Sequence, residues 1–493
     1  MRIGDILVAA KVVTATDVHA ALRRQAEHGG RLGENLVAIG AADPDDLERF
    51  LNGVPAAPLN VADTGLSETE LLTLIIKLMY VSSLKTTSEI AGAIRLPRYL
   101  VVQLVELAAG RGLLSAAGTL GPSALSDSRY NLSDSGRRLA AEALALSQYA
   151  GPAPVTFAAF KSRILVQKLT NELVTFARIQ EAFSGLTVAD AFIERIGPAI
   201  NSGRAILLYG PPGNGKTSIA LRVARVFSEI VYLPYAVMID GSVMRVFDQS
   251  VHKAITVEQD ADSAQAVPSM RREALDTRWV PCQRPFVVAG GELTLEMLDL
   301  RYDAASGVYE APLHVKACGG CLVIDDFGRQ LVSPTALLNR WVVPLESRME
   351  FLKLHTGKTV SLPFEALVIF STNLEPEDLM DPAFLRRIPY KIEIPGPSRK
   401  EFGRIFQSVA RENGLTLSAE VFDAIVTELA EKKQMELAHY QPKFIIEQVV
   451  SACRFAGIKP CFEPRFLEYA IANLRVNRPD AEGSPRTTLA RVA

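Results

Sequence analysis

Apolar positions in the first fifty residues recur in two matching sets. A shift of 29 places lays Arg2 on Arg31, Gly4 on Gly33, Leu7-Val8-Ala9 on Leu36-Val37-Ala38, Asp17 on Asp46 and Leu22 on Leu51. Each set predicts a short apolar helix, a turn, and a second helix opened by acids, at Thr16-Asp17 and again at Asp43-Pro44-Asp45. Residues 1–53 therefore read as a two-repeat helical unit, followed by a Pro- and Gly-bearing linker at 53–65. From Ser67 the pattern becomes three helices and a polar hairpin. Ser67-Glu68-Thr69-Glu70 precedes the run LLTLIIKLMY, Thr87-Ser88-Glu89 opens a short helix, and Pro97 opens a longer one that ends near Gly112. Leu113-Leu114 and Tyr130-Asn131-Leu132 flank a Gly/Ser-rich loop, a helix follows over 133–146, and 149–155 reads as a second linker.

Beyond residue 157 the period changes again. A long amphipathic segment leads to a buried-strand run, RAILLY, at 204–209, followed by a Gly-rich turn and the helix SIALRVARVF. Further strands are expected at 229–239, 286–288, 321–324 and 366–370. Strands interleaved with helices predict a mostly parallel sheet covered on both faces. After Pro395 the chain is helical throughout, over 398–414, 418–433, 442–457 and 463–476, and 478–493 reads as a disordered tail. Two polar tips flanked by alternating residues predict hairpins, one over 232–247 around Asp240-Gly241, the other over 349–364 around His355-Thr356-Gly357-Lys358.

Composition narrows the partners. With 53 basic and 55 acidic residues the net charge is −2, which gives no bulk attraction to nucleic acid or anionic lipid. No apolar run approaches the roughly 18 residues that a membrane span requires, so no membrane insertion and a cytoplasmic location are expected. Five cysteines make a disulfide framework a poor reading. The pair Cys318/Cys321 leads straight into an apolar strand, which favours packing over metal or redox chemistry.

The chemistry concentrates at 210–217. Gly210-Pro211-Pro212-Gly213-Asn214-Gly215-Lys216-Thr217 satisfies G-x-x-x-x-G-K-[ST] between a strand and a helix. Its glycines allow backbone amides to curl around phosphate oxygens at the start of a helix that continues through Ser218. Lys216 would meet the β- and γ-phosphates of ATP, and the Thr217 hydroxyl would ligate Mg2+. A magnesium-side acid should end a neighbouring apolar strand. Cys321-Leu322-Val323-Ile324-Asp325-Asp326 supplies Asp325 for the metal and Asp326 to orient or deprotonate water.

With these motifs in place, 157–477 resembles the AAA+ ATPases: an α/β P-loop NTPase core over 157–396 and an all-α lid over 397–477. The resemblance implies a sensor 1 strand ending in Ser371-Thr372-Asn373, with Asn373 holding water at the γ-phosphate. It also implies an arginine finger in Asp381-Pro382-Ala383-Phe384-Leu385-Arg386-Arg387, where Arg386 or Arg387 reaches the ATP of a neighbouring subunit in a homo-oligomeric ring. Lys443 takes the sensor 2 position, usually arginine. Asp325-Asp326 replaces the usual Asp-Glu, a shorter acid that implies slower turnover. Lys216 and Asp325 are 109 positions apart, far more than one roughly 30-residue βαβ step, so a segment is inserted, part of it the polar stretch 259–266. The 349–364 hairpin resembles the pre-sensor 1 insertion of the branch containing MoxR-like chaperones and bacterial enhancer-binding activators, whose inserted loops engage substrate.

The front repeats resemble the N-terminal domain of type II secretion and pilus-assembly ATPases. Some of those domains bind cyclic di-GMP through Arg-Leu-Gly helix starts; Arg31-Leu32-Gly33 matches and Arg2-Ile3-Gly4 nearly does. Residues 66–148 resemble a winged helix, with Arg95, Arg98 and Arg129 placed for DNA. The presented helix is largely apolar, so protein contact is favoured over base reading. Together these readings describe an ATPase that works on a macromolecular partner, most readily a protein. The alternatives are a DNA-binding regulatory switch and a secretion- or pilus-linked ATPase.

Overall fold

The computed structural model describes residues 4–474 except 5–6, 9–11, 30–31, 45–46, 48–52, 121–126, 187, 228, 256–274 and 433. Arg2, Arg31, the polar stretch 259–266 and the tail 478–493 lie outside the described residues.

At the front, α1 (Ala15–His28) opens on a capping box between Thr14 and Asp17 and pairs with α2 (Leu32–Ala38) through Val18, Ala21 and Leu36. The next unit comprises α3 (Glu68–Ser82), α4 (Thr87–Ile94), α5 (Arg98–Gly110), the hairpin β1 (Leu114–Leu120) and β2 (Asp127–Leu132), and α6 (Asp134–Leu146). Capping boxes at Ser67/Glu70 and Thr86/Glu89 start α3 and α4. Helix α3 is apolar nearly all round because it forms the centre of this unit, with Leu71, Ile75 and Met79 among Ile90, Ile94, Val101 and Leu104.

The α/β part begins with β3 (Val155–Thr156), α7 (Phe157–Val166), α8 (Phe176–Ala182) and α9 (Asp190–Ser202). It continues with β4 (Ile206–Tyr209), α10 (Lys216–Val223), β5 (Ile230–Pro234), β6 (Ala236–Ile239), β7 (Ser242–Arg245), β8 (Trp279–Gln283) and β9 (Phe286–Ala289). Then come β10 (Arg301–Asp303), β11 (Val308–Glu310), α11 (Leu313–Lys316), β12 (Cys321–Ile324), α12 (Pro334–Ser347), β13 (Met349–Lys353), β14 (Thr359–Pro363) and β15 (Leu367–Ser371). The part closes with α13 (Pro376–Leu379), α14 (Pro382–Leu385) and β16 (Tyr390–Glu393). The C-terminal helical unit holds α15 (Arg399–Glu412), α16 (Ala419–Val426) with a π-helical turn to Lys432, α17 (Gln441–Phe455) and α18 (Pro464–Ala472) around Phe402, Phe406, Ile445 and Val449.

The central sheet runs β16-β4-β15-β12-β9 with every pair parallel. β12 and β15 are buried at every position, which is why they read as continuous apolar runs rather than alternating ones. The inserted segment builds a second sheet, β10-β11-β7-β6-β3, and a separate antiparallel pair, β5 with β8. The expected strand over 229–239 is thus two strands that part at Tyr235 and join different sheets. Asp240 and Gly241 both take positive φ, 50° and 79°, in the tight turn between β6 and β7.

The second sheet is packed on both faces. Ala236, Val243 and Val308 belong to the same apolar cluster as α3–α5, and Leu352 and Leu362 of the β13–β14 hairpin pack on its opposite side with Val237 and Met244. Neither stretch read as a linker hangs free. Buried Arg278 pairs with buried Asp276 at 2.8 Å and donates to the Thr64 carbonyl at 2.9 Å, while the Asp276 amide donates to Pro55 O at 2.9 Å. Tyr149 and Ala153 are buried, and the Ala153 amide donates to Ile94 O at 2.8 Å.

Candidate nucleotide-binding site

β4 ends at Tyr209 and the chain turns through 210–215 into α10. Gly210 has φ 133°, and a Cβ there would lie 2.5 Å from the Ile394 carbonyl; Gly213 has φ 78°, and a Cβ there would lie 2.3 Å from the Tyr440 ring. No side chain fits either place. Buried Lys216 donates from Nζ to Gly210 O and Pro211 O, both at 2.9 Å. Burial holds its ammonium below the ordinary lysine value, opposed by the negative charges of Asp326 and Asp325.

The Gly-rich loop, Asn373 and the acid pair all emerge at the carboxyl ends of three adjacent strands, β4, β15 and β12, the edge at which open parallel sheets bind ligands. Thr217 Oγ1 donates to Asp325 Oδ2 at 2.8 Å across 108 positions of sequence. The other carboxylate oxygen, Asp325 Oδ1, is buried without a hydrogen-bond partner. An anionic oxygen kept from water calls for a cation, and a hydroxyl beside a carboxylate is a donor set suited to a hard divalent ion. The residues present therefore fit magnesium. Asp326 is exposed at φ 48°, and Asn373 Nδ2 donates to its Oδ1 at 3.4 Å.

Other residues singled out in the sequence lie differently. Ser218 is exposed in the first turn of α10. Arg387 is half-buried and pairs with Glu346 at 3.2 Å, whereas Arg386, at the end of α14, is exposed. Lys443 is 71% exposed, and its ion-pair partner is Glu447, one turn further along α17, at 3.8 Å. The residues at that helix start that touch the Gly-rich loop are His439 and Tyr440, which the sequence reading missed. The Tyr440 amide donates to Gly213 O at 3.1 Å, and the His439 amide to Asn214 Oδ1 at 3.3 Å. Burial holds the His439 imidazole below the ordinary histidine value, with Glu401 opposing. Between the loop and residues 434–438 lies a cleft of about 560 Å³. Buried Gln441 fixes its far wall by accepting from Ala438 N at 3.0 Å and donating to Glu436 O at 2.9 Å.

Cys318 and Cys321 are free and fully buried, their thiols pushed up to about 12 by desolvation, as packing requires. Among the described residues no helix is long and apolar enough to cross a membrane.

Fold and cradle together define an α/β P-loop protein. Residues 398–473 match the model of a domain of unknown function, DUF8689. No curated protein matches. Among solved structures, NtrX from Brucella abortus is 15% identical with a TM-score of 0.36, covering 61% of this chain and 58% of its own. A proline-to-glycine mutant of Thermotoga maritima RuvB is 12% identical with a TM-score of 0.31, covering 62% of this chain and 73% of its own. The chain thus spans little more than half of the NtrX chain.

Proposed function

We propose that this chain binds Mg-ATP at 210–218 and hydrolyses it as an AAA+ type motor, its helical unit 397–477 acting as lid, to remodel a macromolecular partner. The observation that carries the reading is the Thr217–Asp325 contact with its orphaned second oxygen. Magnesium, when bound, would supply positive charge against the β- and γ-phosphates. The loop amides and Lys216 hold the phosphates, with Thr217 and Asp325 on the metal side. Asp326, steadied by Asn373, orients the attacking water and takes its proton. In an oligomeric ring, exposed Arg386 is better placed than Glu346-paired Arg387 to reach a neighbour's nucleotide. Asp326→Asn should leave ATP bound while phosphate release falls about 10²- to 10⁴-fold; undiminished release would refute the role given to this acid.

A protein partner is favoured over DNA by the state of the winged-helix-like unit, 66–148. The turn that leads into α5, beside the end that base readers present, lies against the chain's own inserted segment at Arg95. Arg95 lies over the Tyr235 ring, its carbonyl accepts from Thr277 at 2.9 Å, and Arg98 pairs with Asp127 at 3.3 Å. The tip of the β13–β14 hairpin is likewise held. Lys358 bonds Asp240 at 2.6 Å and the His355 ring stacks on Tyr302 with centroids 3.9 Å apart, so this tip is docked on the second sheet while 355–358 stay exposed. Cyclic di-GMP sensing at Arg2 and Arg31 rests on sequence resemblance. Calorimetry should give binding heat that Arg31→Ala removes, and no heat from the unmutated chain would end that idea.

A further inference from the structure

Asp326 carries the proposed water-side role in a left-handed backbone conformation that residues other than glycine adopt uncommonly, φ 48°. Something must hold the turn in that shape, or the carboxylate would swing away from Asn373. The centre of the turn is fixed by Phe327, buried against Phe370, whose amide donates to Ser371 O at 2.7 Å and whose carbonyl accepts from Thr372 Oγ1 at 2.8 Å. Both ends are fixed by one side chain. Gln330 donates from Nε2 to Asp325 O at 2.9 Å and accepts at Oε1 from Gly328 N at 2.8 Å. It therefore bridges the residue before Asp326 to the residue two after it. Only a side chain with a donor and an acceptor at this reach makes both bonds.

The geometry assigns Gln330 as a positioning residue that aims the Asp326 carboxylate at the attacking water. This rests on the hydrolytic reading above. Gln330 touches no phosphate-holding group: both of its bonds go to the backbone of the turn. Its loss should spare nucleotide binding and slow the cleavage step, since an error of about 1 Å in a reacting group can cost about 10²-fold.

The test is Gln330→Ala beside Gln330→Met, which keeps the length of the arm without its polar end, each made in the full chain and combined with Asp326→Asn. Mg-ATP affinity is read by equilibrium binding and single-turnover cleavage by phosphate release. The expected result is affinity within about twofold of the parent and cleavage about 10²-fold slower for both variants, with Gln330→Met/Asp326→Asn no slower than Asp326→Asn alone. Parental cleavage in Gln330→Met, an equal loss of affinity and rate, or a further slowing of the double variant would overturn the assignment. The two readings fail separately. If Asp326→Asn loses cleavage while Gln330→Met cleaves like the parent, only the positioning role falls; if Asp326→Asn cleaves like the parent, the acid's role falls and takes this one with it.

Discussion

The contact between Thr217 and Asp325 was legible in the sequence because each partner belongs to a motif with its own strand. The P-loop spacing named Thr217, and an apolar run ending in acids named Asp325; the fold only had to bring two carboxyl-end loops together, 2.8 Å apart. His439 and Gln330 were not legible, since their roles depend on where a loop returns in space, and neither spacing nor periodicity carries that. Lys443 was chosen by resemblance at the same helix start; the backbone amides that meet the loop belong to Tyr440 and His439, three and four places before it. His439 also makes a pH prediction. Its value is lowered on burial, so the neutral ring is the form that the folded chain favours. Its contribution is complete above about pH 6.5 and is lost as pH falls through the lowered value. Thermal melting should show a drop between about pH 7.5 and about pH 5 that is smaller in His439→Gln; an equal drop in both would refute it.

At the scale of elements, helix starts and buried strands followed from local signals. Ser67 heads a capping box, as the acid three residues on foretold, and Thr86 and Ser398 head two more with Glu89 and Glu401, the first of them one residue before the helix start read from Thr87. The tight turn at Asp240-Gly241 came from the same kind of local chemistry. What could not be read was strand partnership. Nothing local tells β5 to pair with β8 while β6, one residue later, joins β3 and β7. Nor could a Pro- and Gly-bearing stretch reveal that it is pinned, because the pin is Arg278, more than two hundred positions away. Breaking a buried ion pair by removing one partner costs about 3–5 kcal/mol. Arg278→Ala should therefore lower the free energy of unfolding in urea by about that amount. A change within about 0.5 kcal/mol, the range of an ordinary surface substitution, would contradict the pinning role.

At the scale of the whole molecule, an inserted sheet joins the helical unit at 66–148 to the part that carries the Gly-rich loop. α3–α5 pack on it from one direction and the β13–β14 hairpin from the other. The hairpin tip is tied to this sheet by the Lys358–Asp240 pair and the His355–Tyr302 stack, and the sheet in turn packs on the unit at 66–148. The proposed activity depends on a nucleotide being held at the Gly-rich loop. The most direct measurement is equilibrium retention of labelled ATP by the purified full chain, with and without magnesium, alongside Lys216→Ala. Magnesium-dependent retention by the parent, weakened at least about tenfold in Lys216→Ala, is the predicted result. No retention by the parent, or equal retention by the variant, would contradict it.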